Sequence, residues 1–453
     1  MTNYTRSSAR ASLAVVGLYM RQKQIWRVIE QEVQIEQKVI EHTASDKLKD
    51  ALMNILSGGH GLVEVNRRVR PDEGLQRAFG RKACADQSTI SDTLNSSTAT
   101  NVQQMRQAAQ AIYRAHSQGY AHCYEQGRQV LDVDITGMPA GRQGEGVSKG
   151  FFSGQRNRRG RQLGRVLASL YDEIVVECLY PGKTQLERSL QALVSAAEAV
   201  LELDHRRRQR TILRCDGGGG RDEDINWLLE RDYLVLVKVK NWKRAAKLAA
   251  SVSAWHLDPK TRDREVGWVQ QPHCYTRPTR QLAVRMPKQG GGYHYRVLVF
   301  NLGDESLFWL ARQPLRKAPS PIQVMLAALY AYDRRGGGVE TSVKGSKQGL
   351  GLTKRNKRRF VAQEMLVLLA QLAYNLLVWT RQRLAQYFPQ LAHFGMLRMV
   401  RDLFHILGNI QLDAQGRILA ITLNEAHDLA LPFVRAFSSL LARDGVSLNW
   451  GQI

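Results

Sequence analysis

Cysteine is scarce in this chain of 453 residues. Its five copies, Cys84, Cys123, Cys178, Cys215 and Cys274, are scattered and include no Cys-x-x-Cys pair. That pattern excludes a disulfide framework and a clustered structural zinc site, and it suits a reducing cytoplasm. Acidic residues are also in short supply, with 41 Asp and Glu against 65 Lys and Arg, a formal net charge of +24. Such a surplus neutralises phosphates and releases their counterions, so salt-sensitive binding to nucleic acid is expected. The first residues, Met-Thr-Asn-Tyr-Thr-Arg, lack the apolar core of a signal peptide. A clean membrane span is missing too. The most apolar window, 360–379, carries Gln363, Glu364, Gln371 and Asn375, which fits a buried helix better than a lipid-facing one.

What is present suffices for two or three domains, since 43% of the residues are hydrophobic. Residues 1–125 read as a mainly helical N-terminal DNA-binding domain. Ile25, Val28, Ile29, Val33, Ile35 and Val39 recur at nearly helical spacing within 22–49. At 75–95 a short helical segment and a run of small residues precede Asp86 or Ser88, either of which can cap a second helix. Gln87, Ser88 and Thr89 at that helix start suit a helix-turn-helix reading head, although a structural helix pair has the same pattern.

The rhythm changes at 126–240. Leu131, Val133 and Ile135 alternate with Asp132 and Asp134, so both acids share one face of a strand and the pattern alone does not choose between them. Strands follow at 165–171 and 173–179. Thr184 and Glu187 form a capping-box signature before a helix reaching 203. A strand at 211–215 ends at Asp216, then come a helix at 224–230 and a strand at 233–239. The expected fold is therefore α/β, a mixed sheet with acids at strand ends. Residues 241–320, with Gly290–Gly292 and the alternating run 295–300, read as a β-rich insertion. Helix returns over 321–390, and 391–453 forms a C-terminal α/β tail with a hairpin near 414–416.

Taken in order, Asp132-Val-Asp-Ile-Thr-Gly-Met-Pro139, Arg214-Cys-Asp-Gly217 with the helix after it, and Ala373-Tyr-Asn-Leu-Leu377 resemble the motifs of DDE transposases of bacterial insertion sequences, in the insertion-sequence-four-like superfamily. The resemblance covers roughly residues 70–440. It implies a ribonuclease H-like catalytic core over 126–240 and 321–390, interrupted by the β-rich insertion. Its first acid stands two residues before a threonine, which favours Asp134 over Asp132; the second is Asp216 and the third Glu340. The family often carries Tyr-x2-Arg-x3-Glu-x6-Lys. Here Tyr332, Arg335, Glu340 and Lys347 give one extra residue between Arg and Glu, and Gly336-Gly-Gly338 lies within that interval. Three glycines weaken a helix, so Glu340 is expected to begin a helix or to sit on a loop before one.

The chemistry that the resemblance implies is metal-dependent cleavage at the terminal inverted repeats of an element, then joining of the freed 3′-hydroxyl to target DNA. Asp134, Asp216 and Glu340 would hold Mg²⁺ or Mn²⁺, two ions in all, because hard cations prefer carboxylate oxygens. Tyr332, Arg335 and Lys347 would contact DNA. Two cationic runs flank the acidic segments and suit phosphates: Arg156, Arg158, Arg159 and Arg161, and Lys354, Arg355, Lys357 and Arg358. A third run, 206–210, precedes the second acid. Gly217–Gly220 lacks a following Lys-Ser or Lys-Thr and is no nucleotide-binding P-loop. The expected partner is double-stranded DNA, bound by a homodimer in the bacterial cytoplasm, with no membrane. A nuclease with the same core and a non-catalytic DNA-binding descendant are the alternatives.

Overall fold

The computed structural model describes residues 3–38, 40–152 and 154–453, so Val39 and Ser153 lie outside the described residues. The chain divides into two compact units. One comprises Met1–Ser117, Met138–Arg161 and Ser342–Ile453; the other comprises Gln118–Gly137 and Gln162–Thr341.

The second unit is built on a mixed sheet. Strand Gln129–Pro139 enters it at the centre, between Gln155–Ala168 on one side and Thr211–Cys215 on the other; Glu173–Tyr180 pairs outside the former, and Leu234–Lys238 outside the latter. In chain order these five strands lie 3-2-1-4-5. The central strand, Thr211–Cys215 and Leu234–Lys238 run parallel, and Glu173–Tyr180 is antiparallel to its neighbour. This is the ribonuclease H-like arrangement. Parallel strands need helical crossovers, and Leu186–Leu201 and Asp222–Glu230 supply them. The first helix starts without the capping box expected at Thr184: its N-cap is Gln185, with no side-chain bond, and Glu187 turns instead to Lys240.

Beyond Leu234–Lys238 the sheet continues antiparallel through Tyr293–Phe300, Arg280–Pro287, Glu265–Trp268 and His256–Leu257. The β-rich segment is thus an extension of the same sheet. Helix Pro321–Arg335, opened by a capping box at Ser320 and Gln323, packs Val324, Ala328 and Ala331 against Val130, Ile212, Leu236 and Leu298. That burial fixes which sheet face the helix covers.

The other unit is helical around Phe360–Ala385, whose length and composition would allow it to cross a membrane, although 89% of its most apolar window is buried in protein. Its Glu364 pairs with Arg106, and Gln363 holds the backbone of Lys357 and Arg355. The expected helix over 22–49 is broken: Arg27–Glu32 and Ala44–Leu56 are helical, while 33–38 and 40–43 are not. Strand Tyr4–Ser8, in a region read as helical, pairs antiparallel with Gly408–Leu412. It completes a four-stranded sheet with Ile418–Asn424 and Ser447–Gly451. Glu73–Ala78 and Gln87–Ser96 are both helical where the sequence read helix, but the first packs on Ala11–Gln22 and the second on Ala44–Leu56. Asp86 caps Gln87–Ser96, accepting from Ser88 N at 2.8 Å.

Candidate active site

Strand register builds the site. Val133 stands opposite Cys215, and Cys215 opposite Val237. One residue further on, Asp134, Asp216 and Lys238 therefore follow one another across three parallel strands, at their carboxyl ends. One step back, Asp132 stands opposite Arg214. Its two oxygens accept a bidentate pair from that guanidinium, at 2.7 and 2.8 Å, and Oδ2 also accepts from Ser169 at 2.5 Å. Asp132 is fully buried, and its acceptors are spent on a cross-strand brace. Arg214 also donates to the carbonyl of Ala331 on the covering helix, at 2.8 Å.

Asp134 has no such brace. Its carboxyl is pushed up to about 6 by burial, with Asp216 and Glu340 adding to the rise and Arg335 opposing it. Asp216, at the strand exit, accepts from the backbone N–H of Gly218 at 2.8 Å. The glycines after it are needed for close packing. A Cβ at Gly220 would stand 1.9 Å from the carbonyl oxygen of Lys238, and one at Gly217 would stand 2.9 Å from Lys238 Cε.

Glu340 arrives by a different route. Helix Pro321–Arg335 passes into a π-helical turn, Gly336–Glu340, and then into helix Thr341–Gln348. The glutamate therefore neither begins a helix nor sits on a loop before one; it closes a π turn inside an unbroken helical run. The extra residue between Arg335 and Glu340 explains the turn. In an α-helix, side chains four apart share a face; a π turn makes the fifth residue the neighbour. Arg335 Nη1 accordingly donates to Glu340 Oε1 at 2.8 Å, and Nη2 lies 3.4 Å from Asp134 Oδ1. Gly338 is obligatory here: a Cβ on it would meet Asp132 Oδ2 at 2.5 Å.

Arg335 is 4% exposed and Glu340 58% exposed. Arg335 was expected to grip DNA, but it is buried as the counter-ion of the acids, which hold its guanidinium firmly charged against desolvation. Tyr332 packs against the core beside it, and burial raises its phenol. Lys347 belongs to the other unit, on Thr341–Gln348. Lys238 escaped the sequence reading. Burial lowers its amine, while Asp216 and Glu340 favour the charge; its signal was its place one step past the apolar run, in register with both aspartates.

The donors are all carboxylate oxygens gathered on one field of negative charge, the chemistry that a hard divalent cation satisfies. Among the described residues no three acid, histidine or cysteine side chains are grouped tightly enough to hold an ion as they stand. Arg335 now supplies the compensating charge.

In the other unit, Arg156, Arg158, Lys354 and Arg358 are exposed, and Arg159 partly so. Arg161 and Arg355 were expected on DNA, and the structure corrects both. Arg161 is 1% exposed, with its guanidinium donating to the carbonyls of Glu145, Lys357 and Arg358. Arg355 is buried against the carbonyls of Gly59 and Leu350. Lys357 donates to Ser91 at 2.5 Å. Ser88 and Thr89 are exposed, Gln87 partly.

A ribonuclease H-like sheet with acids at the carboxyl ends of its strands defines a class of phosphoryl-transfer proteins. The family model "Transposase DDE domain group 1" matches residues 7–441. The chain belongs to that family. No curated protein is significantly similar to it. Among solved structures, it is similar to the chain in a cryo-EM structure of the piggyBac transposase synaptic complex with hairpin DNA. The identity is 10%, over 89% of this chain and 82% of that one, with a TM-score of 0.43.

Proposed function

We propose that this protein is a DNA transposase of an insertion-sequence-four-like element. It would bind the terminal inverted repeats as a dimer in the bacterial cytoplasm, cleave at the element ends and join the 3′-hydroxyl to target DNA. The observation that carries this reading is geometric: Asp134 and Asp216 follow in register at the carboxyl ends of adjacent parallel strands, and the buried Arg335 reaches both Asp134 and Glu340. Asp132 is set aside because Arg214 and Ser169 occupy it.

Asp134, Asp216 and Glu340 would hold Mg²⁺ or Mn²⁺, which when bound activates the attacking oxygen and stabilises the leaving one. The chain's own residues do the rest. The Asp132–Arg214 brace fixes the height of the central strand, and hence of Asp134. Glycines 217–220 let the backbone turn beneath Lys238, which keeps a cation beside Asp216. Arg335, with few solvent contacts, is pre-organised to face negative charge in the site without reorganisation. Glu340, exposed and held by one ion pair, is the acid freest to change partner.

The test is cleavage of supercoiled DNA carrying the element ends, with Mg²⁺ or Mn²⁺ and with EDTA. Wild type should nick and join only with metal. Asp134→Ala, Asp216→Ala and Glu340→Ala should each lose on the order of 10²-fold or more in rate while still binding DNA. End binding without cleavage under any metal would sink the catalytic reading. Cleavage without joined products would reduce it to a nuclease.

A further inference from the structure

The hairpin of strand Ser148–Phe152 and the start of strand Gln155–Ala168, up to Arg161, and the segment 354–359 are about two hundred positions apart in sequence, yet bonded together within one unit. Arg161 is the staple. Its Nε donates to Glu145 O at 2.7 Å, Nη1 to Lys357 O at 3.0 Å and Nη2 to Arg358 O at 2.8 Å. Two more bonds close the joint: Glu145 N to Arg358 O, and Phe360 N to Glu145 Oε2, both 2.8 Å. A buried arginine bonded only to carbonyls gains no ion pair for its desolvation. What it does is hold two backbones at a set spacing.

The side chains around this joint are cations. Arg159 lies two residues before Arg161, so both point to the same face of the ribbon. Lys149 stands directly opposite Arg159, and neither has an acidic partner among the described residues. Like charges directly opposite across strands are destabilising. Exposed Arg358 continues from the very carbonyl that Arg161 holds. Lys357, on the same segment, ties it to Ser91 on helix Gln87–Ser96. A two-stranded ribbon with unpaired cations is matched in charge and repeat by a duplex backbone, and its width suits a major groove.

We propose that Lys149, Arg159, Lys354 and Arg358 form one phosphate-binding face for duplex DNA, and that Arg161 is the positioning residue that makes it one face rather than two. The proposal rests on the DNA-binding part of the function above and adds which cations touch phosphate and which one only aligns them.

The experiment is anisotropy titration of a fluorescein-labelled 30-base-pair duplex from 50 to 300 mM KCl. Lys149→Ala and Arg358→Ala should each flatten the slope of log K against log[KCl] by roughly 0.9, one phosphate contact. Arg161→Lys keeps the charge but not the planar fork; it should weaken binding and flatten the slope by more than one contact. Arg161→Lys with wild-type affinity and slope, in a protein that melts like wild type, would overturn the positioning role. If that variant does not fold, lysine acetylation of the wild-type protein decides: duplex should protect Lys149 and Lys354 together, and protection of one alone overturns the single face. Wild-type binding with silent Lys149 and Arg358 substitutions removes only this inference. Wild type that binds no duplex removes the transposase reading with it.

Discussion

Asp132 and Asp134 are chemically alike and two residues apart, but their surroundings divide them. Asp132 is neutralised by Arg214, whereas Asp134 keeps a carboxyl raised to about 6 by burial and by two acidic neighbours. The unfolded chain would hold that carboxyl near its ordinary 3.8. Between about 4 and 6 the folded protein therefore binds the extra proton, and the group's stabilising contribution falls as pH rises through that window. Without metal, Asp134→Asn should raise stability at pH 7.5 by up to about 2–3 kcal/mol, with the gain gone below pH 4. Thermal melts in EDTA across pH 3.5–8 check this. A variant no more stable than wild type at pH 7.5 would show that burial and the acidic neighbours do not raise this carboxyl. Such a cost is expected where charge is gathered for chemistry instead of for stability.

The helical run that carries Glu340 is the element with the least ordinary geometry. Its π turn gives an arginine and a glutamate five apart the contact that an α-helix gives to residues four apart. Two adjacent glycines make opposite predictions. A Cβ on Gly337 meets nothing within 4 Å, so Gly337→Ala should stabilise by about 0.4–1 kcal/mol through loss of unfolded-state freedom. Gly338→Ala drives its Cβ into Asp132 Oδ2, and should destabilise by about 1–3 kcal/mol while slowing cleavage through the displaced brace. Urea melts of the two variants measure both signs; equal effects would mean that the turn does not seat against Asp132. The sequence pattern marked the extra residue and the glycines but read them as a break. Propensity counts each glycine's entropy, whereas buried Arg335 just before the turn and buried Val339 within it anchor the turn in place.

Across the whole molecule, charge is the property most plainly written in composition. With a net charge of +24, duplex binding should weaken by roughly 10³-fold or more between 50 and 200 mM KCl if six or more phosphates are contacted. A shallow dependence would argue that most of the cations are structural. Some are. Arg161, Arg214, Arg335 and Arg355 are each 5% exposed or less, and each holds carbonyls or acids, so charge counting overstates the binding surface.

The chain's local patterns determined a good deal on their own. Alternating apolar residues placed Asp134 on a strand and Asp216 at the end of another, because side-chain period and strand length are local properties. Alternation marked the strand at 293–300, a capping residue the helix after Asp86, and apolar composition the buried helix from 360. The choices that needed the folded chain all depend on partners remote in sequence. Arg214 singles out Asp132 from 82 positions away, and Arg161 finds its carbonyls 196 and 197 positions on. Tyr4–Ser8 is a strand because Gly408–Leu412 offers it an edge. A guanidinium reads the same in sequence whether it will face phosphate, carboxylate or carbonyl; tertiary packing decides by fixing which of these is within hydrogen-bond reach and whether water can compete.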